Sequence, residues 1–311
     1  MRILLTTTSF QDTRGSHHAL LNEQGYDIDR LSGPATEELL LPIISKYDAV
    51  ICGDDDYTEK VIKTGANGNL KLISKYGVGL DRIDLNAAKK YGVFVTNCPG
   101  VNTRSVAEHV LALVLCFYRK IHLEFNITNS GGWERITGHE IYKKTIAILG
   151  LGGVGRDVAK IFKALGLNVK VYDAYLDEDF VLLNKLKPCS SIEELIKDAD
   201  ILTLHIPLKK QTEGIINIDL LRNQNVKDLL IVNTARAGLI KFETIETALN
   251  EGIMAGYCTD VMYEEPMPPQ HPLKDLPNVL ITPHIGSRTF QSVERQGKMA
   301  VENVINFFKA K

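Results

Sequence analysis

Short apolar, β-branched runs alternate with stretches of helical periodicity along the whole chain. In the first third the strand-like runs are Ile3–Thr7, Ile28–Leu31, Ala49–Cys52, Lys71–Tyr76 and Val93–Thr96, separated by helix-like stretches such as Glu37–Ser45 and Leu85–Lys90. A breaker cluster, Asn97-Cys98-Pro99-Gly100, follows. Val106, Val110, Leu113, Val114 and Phe117 then recur at helical spacing and predict one long helix from about Thr103 to Phe125 with a buried face. A second series of strand-like runs comprises Thr145–Leu149, Val169–Tyr172, Ile201–Leu204, Leu229–Asn233, Ala255–Cys258 and Val279–Ile281. Between the last two, Glu264–Pro277 holds five prolines without periodicity and predicts a surface loop. The chain closes on a helix with Val301, Val304, Ile305 and Phe308 along one face. Strand–helix alternation of this kind predicts an α/β fold of parallel sheets covered on both faces.

A length of 311 residues predicts two domains, at about 150 residues each. Lys and Arg number 36 against 38 Asp and Glu, a net charge of −2 with both signs interspersed. That balance argues against nucleic acid or an anionic membrane as partner. The longest strongly apolar run, Val110–Tyr118, is well short of the roughly 20 residues of a membrane span. Met1–Thr7 runs into Gln11, Asp12 and Arg14, so no secretory leader is expected. Five widely spaced cysteines, never in Cys-x-x-Cys, predict reduced thiols in a cytoplasmic protein and no metal site.

Chemistry enters with Gly150-Leu-Gly152-Gly-Val-Gly155, which directly follows one strand-like run and opens the helical pattern Val154–Leu165. In that context Gly150 serves a tight turn, Gly152 lets the backbone approach a pyrophosphate, and Gly155 allows close helix–strand packing. The helix N-terminus offers free N–H donors to phosphate. Asp173, at the end of the next strand, stands near the roughly 20-residue offset of an acidic ribose ligand. It repels a 2′-phosphate, and Ala174-Tyr175-Leu176 supplies no cation, so NAD is favoured over NADP.

Three further segments put polar residues where strands end: Asn233–Arg236, Asp260–Pro266 and Thr282–Gly286. Open α/β sheets bind ligands at the carboxyl ends of their strands. Hydride transfer to a 2-keto acid needs a cation for the carboxylate, a proton donor for the developing alkoxide, and a partner for that donor. Arg236 suits the first role through its planar fork, His284 the second and Glu265 the third. Spacing alone leaves the bland reading open, a structural His and a solvated Glu.

Lys75-Tyr-Gly77-Val-Gly79-Leu-Asp81, the glycine signature, Asn233–Gly238, Asp260–Pro266 and Thr282–Gly286 together resemble the NAD-dependent D-2-hydroxyacid dehydrogenase family, and most of all its phosphoglycerate-dehydrogenase-like branch. The resemblance implies two doubly wound parallel-sheet domains. Residues 1–99 with 287–311 would form a flavodoxin-like substrate domain, and residues 100–286 a Rossmann NAD-binding domain. Arg236 would anchor the substrate, while Glu265 and His284 would handle the proton in a cleft between the two domains. Val78 and Gly79 would present backbone donors to the substrate carboxylate, and Lys75 could supply the cation that phosphoglycerate dehydrogenases tend to place for the substrate phosphate. Gly150, Gly152, Gly153, Val154, Gly155, Asp173, His205, Pro207, Thr234, Asp260 and Gly286 would serve the cofactor, Asp260 at the nicotinamide amide. The long helix after Pro99 is similar to one these proteins use to form homodimers.

Several positions depart from the family pattern. Gly153 stands where the family often has a cation for the pyrophosphate; Ala237 and Lys241-Phe242 are further substitutions that remove no reacting group. Asp54-Asp55-Asp56 is expected to be a solvated loop tip, or, if one of them faces the substrate, to oppose a phosphorylated acid. A hydroxypyruvate or glyoxylate reductase would use the same residues, and an NAD-sensing binding protein would bind NADH without turnover. Long phosphoglycerate dehydrogenases append a regulatory domain, which a chain ending at Lys311 is not expected to carry.

Overall fold

A computed structural model of the chain describes residues 1–224 and 227–310. It divides into two compact units, Met1–Asn102 with Ser287–Lys311, and Thr103–Gly286. In the first, β1 (Arg2–Leu5), β2 (Asp27–Arg30), β3 (Ala49–Cys52), β4 (Leu72–Lys75) and β5 (Phe94–Thr96) form one parallel sheet in the order β2-β1-β3-β4-β5. That is the flavodoxin-like order. Side chains alternate across it: Leu4, Val50, Cys52 and Ile73 pack on one face, Ile3, Leu5, Ala49, Ile51 and Leu72 on the other. The second face is covered by the helix Phe290–Lys309 through Val293, Ala300, Val301, Val304 and Ile305. Each larger aliphatic side chain buried there contributes about 1.5–3 kcal/mol, which ties the end of the chain to its beginning.

In the second unit, β6 (Thr145–Leu149), β7 (Asn168–Tyr172), β8 (Lys187–Pro188), β9 (Ile201–Leu204), β10 (Leu229–Asn233), β11 (Met254–Thr259) and β12 (Val279–Ile281) make a parallel sheet in the order β12-β11-β10-β9-β6-β7-β8. This is the Rossmann order, and the chain reverses direction across the sheet between β6 and β9. Ile146 and Ile148 face a core beneath the helices Thr103–Tyr118 and Gly153–Ala164, whereas Ala147 and Leu149 face the opposite core.

Three elements differ from the sequence expectation. The long helix ends at Tyr118, and a separate helix, Ile121–Asn129, begins after Lys120, which adopts φ 57°. The Tyr118 carbonyl accepts from His139 N–H at 2.8 Å, so the returning chain caps the first helix where another turn would have continued it. The stretch Glu37–Ser45 breaks into a helical turn, Glu37–Leu40, and the start of a 3-10 turn, Ile44–Lys46, because Pro42 has no N–H to extend the first. The edge strand β8 is too short, and too interrupted by Pro188, to show periodicity.

Candidate active site

The glycine signature sits at the point where the second sheet reverses. Gly150 adopts φ +99°, and a Cβ there would lie 2.8 Å from the His205 carbonyl at the end of β9. A Cβ on Gly155 would lie 2.0 Å from the Gly150 oxygen, so only glycine lets the helix start this close to the strand. At Gly152 a Cβ would meet nothing within 4 Å, which leaves that side of the turn open for a ligand. Asp173 is clamped beside it: Leu151 N–H donates to one carboxylate oxygen at 2.7 Å and Tyr175 N–H to the other at 2.8 Å. Each oxygen keeps a lone pair for a ribose hydroxyl. Gly153 brings no cation, but Arg156 Nε donates to the Leu151 carbonyl at 3.1 Å, and its guanidinium also pairs with Asp177 at 2.9 Å. The Thr234 hydroxyl is buried without a partner among the described residues, and such an atom calls for a ligand. Half-buried His205 hydrogen bonds to the Thr203 hydroxyl at 2.8 Å, and burial lowers its pKa to about 3, so the ring is neutral. An open glycine turn, a clamped carboxylate and an orphaned hydroxyl together fit a dinucleotide.

The other predicted residues come from neighbouring strands. Asn233, Thr259 and Ile281 are in register across β10, β11 and β12, so the loops carrying Arg236, Asp260 and His284 leave the same edge side by side. Buried Asn233 shapes the first loop, donating through Nδ2 to the Arg236 carbonyl at 2.9 Å and accepting from Ala235 N–H at 3.1 Å. Asp260 shapes the last. Its carboxylate accepts from the Thr282 hydroxyl at 2.6 Å, Ile285 N–H at 2.8 Å and Gly286 N–H at 2.7 Å. His109 Nε2 donates to Thr282 Oγ1 at 2.9 Å from the helix Thr103–Tyr118. Burial opposes the Asp260 charge and is the largest single influence on it, yet these hydrogen bonds together hold its pKa below the usual aspartate value. Between Thr282 and Gly286, His284 adopts φ +53°, a strained conformation for a non-glycine residue that the clamp on both sides maintains.

His284 and Glu265 meet. Nδ1 donates to Glu265 Oε2 at 2.8 Å, and the other carboxylate oxygen accepts from Met262 N–H at 2.9 Å. Both side chains are about one-third exposed, at 37% and 35%, so the pair is held but within reach of solvent and ligand.

Lys75, Val78 and Gly79 lie in the first unit, at and just past the end of β4. Lys75 is buried to 5% exposure, and its ammonium donates to the Gly53 carbonyl and to Asp54 Oδ1, each at 2.6 Å. The acidic run is therefore not a uniformly solvated tip. Asp54 pairs with Lys75, and Asp56 pairs with Arg82 at 3.0 Å. Asp55 is fully buried, accepting from the Thr6 hydroxyl, Ala35 N–H and Gly53 N–H. Burial raises the Asp55 pKa above the usual aspartate value.

Sequence reasoning did not single out His109, which lies in no recognisable spacing pattern, and named Asn233 only as the first residue of a strand-end segment; the hydrogen bonds beneath Asp260 and Arg236 show what each of them holds.

Comparison with known proteins agrees with this geometry. The family described as D-isomer specific 2-hydroxyacid dehydrogenase, NAD binding domain, matches residues 111–286. A glyoxylate reductase of Thermofilum pendens is 36% identical over 282 residues, covering 89% of this chain and 82% of that protein. A D-3-phosphoglycerate dehydrogenase of Archaeoglobus fulgidus is 35% identical over 292 residues, covering 93% of this chain but only 54% of that protein. The chain thus spans most of the first relative and about half of the second. Among solved structures, NAD+-bound 3-phosphoglycerate dehydrogenase of Entamoeba histolytica aligns with a TM-score of 0.81 at 27% identity, over 99% of this chain and 95% of that one. With its Rossmann sheet, its open glycine turn and its matched sequence, this chain belongs to the NAD-dependent D-2-hydroxyacid dehydrogenase family.

Proposed function

We propose that the chain interconverts a 2-hydroxy acid and its 2-keto acid, with the His284–Glu265 pair as the proton-handling group. That pair, held at 2.8 Å between the loops after β11 and β12, beside the loop after β10 that bears Arg236, is the observation that carries the reading. Bound NADH supplies the hydride. Glu265 holds Nδ1 of His284, which leaves Nε2 to give a proton to the oxygen on C2 in the reductive direction. Arg236 binds the carboxylate and polarises the carbonyl. Val78 and Gly79 offer backbone N–H groups to the carboxylate. Asp173 accepts from the ribose hydroxyls, the Gly150–Gly155 turn takes the pyrophosphate, and Thr234, His205, Pro207, Asp260 and Gly286 line the cofactor site. In this reading residues 1–99 with 287–311 are the substrate domain and residues 100–286 the cofactor domain.

Between the two substrate types named for the relatives, the Lys75–Asp54 pair favours an unphosphorylated acid such as glyoxylate or hydroxypyruvate. The Lys75 charge is already balanced and two of its donors are occupied. A phosphate arriving there faces Asp54, at a cost of up to about 4 kcal/mol per like-charge pair at 4 Å before screening. NADH oxidation with glyoxylate, hydroxypyruvate and 3-phosphohydroxypyruvate, repeated with NADPH, tests both layers. We expect turnover with NADH and a higher kcat/KM for the unphosphorylated acids. NADH binding with no turnover of any 2-keto acid overturns the enzyme in favour of an NAD-sensing binding protein.

A homodimer accompanies this reading. The helix Ile121–Asn129 buries none of its residues, and Phe125 and Trp133 are 61% and 80% exposed. A groove of about 460 Å³ is lined by Leu111, Leu115 and Leu165 together with Arg119, His139 and Glu140. A second copy is the occupant that fits, with sedimentation as the check. Among the described residues no helix is long and apolar enough to cross a membrane, and all five cysteines are unpaired. The free thiols suit a reducing compartment, and we place the enzyme in the cytoplasm.

A further inference from the structure

The loop after β4 has a feature that the family reading does not use. Gly77, at φ +126°, turns the chain so that the next two peptide planes present their carbonyls to the residues just past β5. Cys98 N–H donates to the Gly77 carbonyl at 2.7 Å, and Asn97 Nδ2 donates to the Val78 carbonyl at 2.8 Å. In a trans peptide the N–H points opposite to the C=O of the same plane. Holding the Gly77 carbonyl therefore aims the Val78 N–H away from β5, and holding the Val78 carbonyl aims the Gly79 N–H the same way. The holder is itself anchored: Asn303 Nδ2 donates to the Asn97 carbonyl at 3.1 Å from the terminal helix, and the Cys98 thiol donates to the Lys75 carbonyl at 3.4 Å. The two N–H groups lie on an exposed rim, where Val78 is 43% exposed, and neither meets a partner among the described residues.

We infer that Asn97 is a positioning residue for substrate binding: its side chain and the adjoining Cys98 N–H lock two neighbouring N–H groups into a nest for the carboxylate of the 2-keto acid. This rests on the dehydrogenase reading above. Asn97 touches neither substrate nor cofactor and acts only through the Val78–Gly79 peptide. A carboxylate keeps its charge through hydride transfer, so the nest binds ground and transition states alike and its loss appears in KM, not kcat.

The test is Asn97→Asp, isosteric but presenting an oxygen to the Val78 carbonyl, with Asn97→Ser alongside in case the first variant misfolds. Steady-state kinetics would be paired with oxamate binding to the NADH complex. A hydrogen bond that aims a charged contact predicts that KM for the keto acid and Kd for oxamate both rise about tenfold or more. kcat should stay within about twofold, and NADH affinity and Tm should be unchanged. A folded variant with KM and oxamate Kd at wild-type values overturns the role of Asn97 while leaving the dehydrogenase standing. A fall in kcat with KM unchanged also overturns it, since that marks a group acting on the chemistry. Wild-type protein that neither turns over a keto acid nor binds oxamate removes the dehydrogenase reading, and this one with it.

Discussion

Lys75 closes β4 and His284 follows β12, so each stands at the carboxyl end of a parallel strand, and each meets a carboxylate: Asp54 at 2.6 Å, Glu265 at 2.8 Å. Their surroundings differ. The Lys75 side chain is 5% exposed and its ammonium also donates to a backbone carbonyl, while the Asp54 side chain is 61% exposed. His284 and Glu265 are both about one-third exposed, and Glu265 is steadied by Met262 N–H. The Lys75 ammonium meets a carboxylate and a carbonyl, a pairing that cancels charge; an imidazole keeps a second ring nitrogen through which a proton can pass to a substrate. Under the proposed function the same pairing of a basic group with a carboxylate is an electrostatic plug in one unit and a proton relay in the other. His205 supplies a third case, a histidine just past β9 whose partner is the Thr203 hydroxyl and whose ring burial keeps neutral.

The contrast breaks most readily at His284. Replacing it by Ala should lower kcat by about 10²–10⁴-fold while NADH affinity is kept; turnover at the wild-type rate would show that the proton comes from elsewhere. A smaller effect is expected at the plug. Asp54→Asn leaves the Lys75 charge unbalanced, so kcat/KM for 3-phosphohydroxypyruvate relative to hydroxypyruvate should rise about tenfold, solvent around Asp54 screening anything larger. An unchanged ratio means that Lys75 does not sense the substrate's far end.

The smallest effect concerns stability and sharpens the case of His205. Its folded pKa of about 3 lies below the unfolded value near 6.5, so below pH 6.5 the unfolded chain takes up a proton that the folded chain refuses. Stability is therefore fully present above pH 6.5 and declines as pH falls towards 3, by about 1 kcal/mol over the first unit. Denaturant titrations at pH 6.5 and 5.5 should show this slope in wild type and a shallower one in His205→Gln. Equal slopes would mean that the ring is open to protonation.

Much of this was legible in the chain. β3, β6, β9, β10 and β12 fall where apolar runs stand between breakers, because a strand covered on both faces must be apolar throughout. Gly150 and Gly155 were legible because each is needed where a side chain would collide with backbone. The break at Lys120 was not, because the apolar stripe of the first helix runs into Ile121 and Phe125 without local interruption, and the cap on Tyr118 comes from His139, distant in sequence. The three aspartates were equally opaque: neighbours of identical chemistry pair with Lys75, bury against Thr6 and Ala35, and pair with Arg82.

The sequence alone determined the class of fold and the dinucleotide turn, since periodicity and glycine conformation are properties of the residues themselves. Only the tertiary structure decided which acidic and basic groups meet. Pairing depends on distances between residues far apart in the chain, such as Glu265 with His284 and Lys75 with Asp54, and on how deeply each is buried.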